Sequence, residues 1–233
     1  YESKERNMMF NPNCYSQIPK TYPAPELKPA DPAPSSVSPD QIVPNRYPAF
    51  GPFENLECIA FSHVNLVNEM RYLWLQMVIW SRAYISNSTA KPEALHAVYE
   101  RLHLVPMGFY NYMNLFFGQG IAEQFLQLLA QHIVIFAELI NSMTAGDQHA
   151  ANLSRSAWYG NSKNISAFMV RLCNLWEYNE WFDLLNKYQK MLLDGAFAIL
   201  TDDHRKEIII YDRLQSHSMH IADYMSKGVM HNL

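Results

Sequence analysis

Eleven of the thirteen prolines in this 233-residue chain lie between residues 12 and 52. Proline has no amide hydrogen and holds φ near about −65°, so neither a helix nor an interior strand propagates through such a stretch. Tyr22-Pro23-Ala24-Pro25 and Ala30-Asp31-Pro32-Ala33-Pro34-Ser35-Ser36 are its densest parts. The spacing predicts an extended proline-rich arm over residues 1–53, ahead of a folded domain over residues 54–233. At about 3.1 Å per residue of polyproline II, some fifty residues reach on the order of 150 Å, enough to wrap the domain or a neighbouring subunit. Tyr15, Tyr22, Tyr47, Phe50 and Phe53 punctuate the arm. Aromatic side chains spaced in this way dock into grooves between helices, which sets a packed arm against a solvated tail.

After Phe53 the apolar residues recur at three- and four-residue steps, the helical period. The sequence predicts helix A over about Asn55 to Ser86, closed by Asn87-Ser88-Thr89, and helix B from Pro92 to about Leu104. Pro106 opens a short further helix to Phe117. Helix C is expected from Ile121 to Ala145, stopping at Gly146. Asp147 caps helix D, which reaches about Leu175 with a break at Gly160. Helix E covers about Asn179 to Leu200, and Thr201 or Asp202 caps helix F, ending near Gly228. Sliding the chain by 56 residues lays Leu128-Leu129 on Leu184-Leu185, Asp147 on Asp203, and Ile165 to Met169 on Ile221 to Met225. A slide of 55 lays Leu73 to Val78 on Leu128 to Ile133. The fold class is therefore all-α: an antiparallel helical bundle of about three hairpins, A-B, C-D and E-F.

Composition narrows the function. Hydrophobic residues make up 49% of the chain and charged residues 17%, with a formal net charge of −4 and no basic block. A nucleic-acid partner needs a phosphate-neutralising stripe, which is missing, and no uninterrupted apolar run reaches a membrane span. Three cysteines, Cys14, Cys58 and Cys173, form neither a disulfide framework nor a zinc knuckle. No apolar leader is visible at the start of the chain, so a cytoplasmic or spore-associated location is expected. No Gly-rich phosphate loop, Gly-x-Ser-x-Gly elbow or His-Glu-x-x-His helix occurs, so an enzyme is not the expected reading.

Two constellations could carry chemistry. The apolar stripes bring Met77, His132, Asn161, Tyr188 and His217 to mid-helix positions that converge at one level of a bundle. Buried polar groups there must find partners, either one another, as in His132 with Tyr188 or His217 with Asn161, or a small polar ligand. Arg82, alone in a mostly apolar helix, either anchors an anionic ligand or pairs with a carboxylate. For a transition metal, zinc or iron, the candidate ligands are His132 and the ladder His217-x-x-His220-x-x-Asp223. Glu93-x-x-His96 and Glu100-x-x-His103 share helix B and cannot face each other as a di-iron pair does.

The chain also resembles a family of helical-bundle proteins from spore-forming bacteria that has no assigned activity. The likeness runs through Leu73-Trp74-x-Gln76-x-Val78-x-Trp80-Ser81-Arg82, Arg101-Leu102, Phe117-Gly118, Gln131-His132-Ile133, Trp158-Tyr159-x-Asn161, Trp181-x-x-Leu184-Leu185 and Ala222-Asp223-Tyr224-Met225-Ser226-x-Gly228, over about residues 66–230. The resemblance implies a compact bundle, and relatives with His at the positions of Met77 and Tyr188, beside that of His132, would assemble three imidazoles around a metal. Here only His132 remains of the three. The expectation that follows is a non-enzymatic bundle with a structural or interaction role, its arm docking on itself, on a second copy or on an assembly. The alternative is a metal- or small-ligand-binding bundle with a polar site around His132.

Overall fold

The computed structural model describes residues 61–90 and 92–231. The arm, Cys14, Cys58 and the predicted helix start at Asn55 lie outside the described residues. Seven helices follow in order: α1 (Phe61–Ala90), α2 (Pro92–His103), α3 (Val105–Phe117), α4 (Gln119–Thr144), α5 (Gln148–Met169), α6 (Tyr178–Leu200) and α7 (His204–His231). No strand occurs among the described residues, so the fold is an all-α helical bundle. Helix α1 packs on α2 and α7, α3 on α4, α4 on α5, α5 on α6 and α6 on α7, which closes a ring of neighbours.

Packing follows the apolar period. A line of aromatic rings runs through the core from Tyr188 to Trp74 (5.9 Å), Phe109 (5.5 Å), Phe125 (6.1 Å) and Phe168 (5.9 Å), joining α6, α1, α3, α4 and α5. These separations suit edge-to-face and offset contacts, which add to the area such large rings remove from water. Pro106 cannot donate to Leu102, so the chain makes a turn at Leu104, where Met107 N–H reaches the Leu104 carbonyl at 3.2 Å, before resuming as α3. Helix α4 is long and apolar enough, by length and composition, to cross a bilayer. Its apolar stripe from Phe125 to Ile140 is instead buried in the bundle.

The hairpins α4–α5 and α6–α7 share the main hydrogen bonds of their turns at an offset of 56 residues. Asp147 N–H donates to the Ser142 carbonyl and Asp203 N–H to that of Ala198, both at 2.9 Å. Each aspartate then caps its helix, Oδ1 accepting from Ala150 N–H at 2.9 Å and from Lys206 N–H at 3.1 Å. The residue before each cap is left-handed, Gly146 at φ 74° and Asp202 at φ 55°. The cap of α7 is therefore Asp203 rather than Thr201 or Asp202.

Three further boundaries differ from the sequence reading. Helix α1 continues through Asn87-Ser88-Thr89 because these side chains bond back to the Ala83, Ile85 and Ser86 carbonyls and leave the backbone ladder intact. Helix α5 runs unbroken through Gly160 but stops at Met169, and α7 reaches His231. The link over 170–177 buries Cys173 and Trp176. Trp176 Nε1 donates to the Tyr224 carbonyl at 3.0 Å, and Glu177 N–H to the Tyr224 hydroxyl at 2.7 Å.

Two glycines should respond oppositely to alanine. A Cβ on Gly228 would sit 2.1 Å from the Trp176 indole, whereas one on Gly160 meets no atom within 4 Å. In urea denaturation, Gly228→Ala should lose about 1–3 kcal/mol by overpacking, and Gly160→Ala should gain roughly 0.5–1 kcal/mol from helix propensity.

Candidate functional site

The five mid-helix residues do not meet at one point: His132 pairs with Asn161, His217 lies in the next hairpin, Tyr188 stands near Tyr211, and Met77 is in the apolar core. On α4 and α5, His132 and Asn161 are buried and hydrogen bonded, Nδ1 to Oδ1, at 2.8 Å. The amide nitrogen of Asn161 donates to the Leu128 carbonyl at 3.2 Å and to Gln131 Oε1 at 3.4 Å, which fixes its oxygen as the acceptor facing His132. His132 therefore carries its proton on Nδ1. Its ring lies 5.0 Å from that of Trp158. Burial pulls its pKa down to about 4, against a smaller upward pull from Asn161.

The equivalent place in the next hairpin is built alike. His217, 56 residues after Asn161, places Nε2 2.8 Å from the carbonyl of Leu184, 56 residues after Leu128. Burial lowers the His217 pKa, with the Leu184 carbonyl opposing. An amide in one hairpin and an imidazole in the other thus answer the same helix carbonyl. The pairings considered from sequence, His132 with Tyr188 and His217 with Asn161, are replaced by His132 with Asn161 and His217 with backbone.

The proposed metal ladder is dispersed. Asp223 holds Arg71 in a two-pronged pair, Oδ1 to Nε at 2.6 Å and Oδ2 to Nη2 at 2.8 Å, and the same contact raises the Arg71 pKa. His220 is exposed, its ring 6.5 Å from that of His217, while His132 belongs to another hairpin. Among the described residues no group of three or more His, Cys, Asp or Glu is placed to hold a metal ion. Met77 is buried in the apolar core.

Another place lies where α1, α6 and α7 meet. Arg82 donates through Nε and Nη2 to one oxygen of Glu207, at 3.0 and 2.8 Å, and its guanidinium stands 4.6 Å over the Tyr211 ring. Glu207 is 8% exposed and sits in the first turn of α7, where the helix dipole favours a carboxylate. Tyr211 is 2% exposed and Tyr188 1%, and neither hydroxyl makes a hydrogen bond among the described residues. Ser81 is the side chain near enough to act on the Tyr188 hydroxyl, and it opposes the upward pull of burial there. Burial drives both phenols well above their ordinary pKa; at Tyr211, Arg82 opposes this while Glu207 and then Tyr188 add to it. Gly195 on α6 leaves room for the Tyr211 ring, whose Cε2 would lie 3.3 Å from an added Cβ.

Sequence reasoning named Arg82 and Tyr188 but missed Glu207 and Tyr211. The helical stripe through His217, carried back by three, six and ten residues, passes Leu214 and reaches Tyr211 and Glu207. A lone Glu on one apolar stripe and a lone Arg on another were the signal for the pair.

Two clefts lie beside these places, one bordered by Leu128 and Gln131 and the other by Arg82 and Tyr211. One of about 480 Å³ lies between α4 and α5, lined by Gln124, Gln127, Gln131, Asn164 and Arg171 over Leu128 and Phe168. The other, of about 280 Å³, lies between α1 and α7, lined by Val78, Ile79, Arg82, Ala83, Tyr211 and Gln215. Against known proteins, no family model, no curated protein and no solved structure matches this chain.

The low pKa of His132 makes stability depend on pH. The unfolded chain takes up this proton below about 6.5, whereas the fold resists it down to about 4, so stability is full above that window and falls as pH drops through it. Wild type should lose on the order of 3 kcal/mol more than His132→Leu between pH 6.5 and 4 in denaturant titrations.

Proposed function

We propose that this chain is a non-enzymatic interaction protein, a helical scaffold whose proline-rich segment associates with further copies of the chain or with a larger assembly. The observation that carries this reading is apolar surface on two neighbouring helices. Helix α1 exposes Val64, Tyr72 and Ile79, and α3, which has no charged residue, exposes Met107 and Leu115, the last at 72%. A contiguous exposed apolar patch marks a surface that meets another protein, and these side chains supply the material for one on two helices in contact. The polar side chains at the helix seams support the same reading, because His132, His217, Arg71 and Arg82 are engaged in holding helices together. A place among the bundle proteins of spore-forming bacteria is part of this proposal and rests on the shared motifs.

A second reading, a bundle that binds a small ligand, is favoured by one specific observation: the unpaired buried hydroxyls of Tyr188 and Tyr211. That observation moves the candidate site from His132 to the junction of α1, α6 and α7.

Light scattering tests the leading reading. The full chain should have a mass above that of a monomer, and both a chain starting at Phe53 and a full chain carrying Tyr72→Glu and Leu115→Glu should return to monomer. Identical monomer masses for all three would remove self-association through the arm.

A further inference from the structure

A buried hydroxyl with no acceptor costs roughly 1–3 kcal/mol relative to one that is paired, so an unpaired hydroxyl on a residue that lines a cleft is a candidate donor to a ligand. Several buried donors lack acceptors here, including Nε1 of Trp74, Trp158 and Trp181. None of those three tryptophans lines either cleft, whereas Tyr211 lines the cleft between α1 and α7. Val78, Ile79 and Ala83 give that cleft an apolar wall, and Arg82 and Gln215 give it polar edges.

Charge decides what kind of molecule fits. The positive charge of Arg82 is already answered by Glu207, whose Oε1 takes both guanidinium contacts. An incoming carboxylate would face that buried carboxylate at close range and would lack a free counter-charge. A neutral oxygen acceptor meets no such opposition. Both phenols stay protonated across the physiological range, so they can serve as donors.

We propose that the α1/α7 cleft binds a small, uncharged, largely apolar molecule bearing a carbonyl oxygen, which accepts a hydrogen bond from Tyr211, with Tyr188 as the further donor behind it. This rests on the ligand-binding reading given above and names the class of ligand and the residues that select it. The cleft, at about 280 Å³, is at the small end of ligand sites, which suits a single-ring compound.

The test uses the full chain and three probes of similar shape: acetophenone, which has the acceptor; ethylbenzene, which lacks it; and benzoate, which is charged. In calorimetric titration acetophenone should bind at one per chain, ethylbenzene about tenfold more weakly for want of one buried hydrogen bond, and benzoate at least as weakly because its charge meets the Glu207 carboxylate. Tyr211→Phe should weaken acetophenone to the level of ethylbenzene while leaving the thermal midpoint unchanged or higher, because it deletes a hydroxyl that has no partner in the fold. Tyr188→Phe should weaken it less. Absence of saturable binding by any probe would overturn the ligand reading as a whole. Equal affinity for ethylbenzene, or an undiminished affinity in Tyr211→Phe, would leave ligand binding standing but overturn the role given to the phenol. Tighter binding of benzoate would overturn the uncharged class, and a lowered midpoint in Tyr211→Phe would mean that the hydroxyl already has a partner.

Discussion

Inside a helix bundle the backbone has no donors to spare, since each interior N–H is spent on the carbonyl four residues earlier. Only the second lone pair of a carbonyl, or another side chain, can answer a polar group that the sequence places in the core. Most of this architecture obeys that rule in a consistent way. Asn161 and His217 each use a helix carbonyl across a hairpin, His132 uses Asn161, and Gln189 uses the Trp158 carbonyl at 3.0 Å. These contacts set the rotation of each helix against its neighbour, and the aromatic line through Trp74 and Phe125 fills the space that this rotation leaves. The rule is broken at several buried groups, the indoles of Trp74, Trp158 and Trp181 among them, and the phenols of Tyr188 and Tyr211 are the two that lie together near a cleft.

The helical class, the six main helix positions and the turn at Pro106 were legible because they depend on local chemistry: apolar period, proline and capping aspartates. Boundaries failed where side chains bonded back to their own helix, as at Asn87 to Thr89, or where tertiary packing took over, as at Trp176. Periodicity also identified which residues face inward, and His132, Asn161, Tyr188 and His217 are all buried. It could not say which of them meet. That depends on axial offset between helices, and a shift of one turn moves a side chain by about 5.4 Å, more than the length of a hydrogen bond. Asp223 illustrates the limit, for it shares a helix with His217 and His220 but answers Arg71 on a helix from the other end of the chain.

The 56-residue correspondence reaches beyond sequence similarity. Side chains at matching places differ, asparagine against histidine and glycine against aspartate, while the carbonyl that is answered and the turn that is made are the same. Backbone geometry is thus the shared property of the two hairpins, and side-chain chemistry has diverged on it. A polar position in one hairpin is consequently a guide to where a polar position sits in the other, but not to its ligand or its charge.

The seam between α1 and α7 joins the first described helix to the last, through Arg71 with Asp223 and Arg82 with Glu207, partners 152 and 125 residues apart in sequence. The hairpins close short loops and can form early, whereas this seam closes the longest loop in the bundle and gains nothing until the intervening helices are in place. Its formation therefore depends on the intervening helices more than that of either hairpin does. The cleft bordered by Tyr211 lies along this same seam, so the two ion pairs that join the ends of the bundle also fix the shape of that cleft.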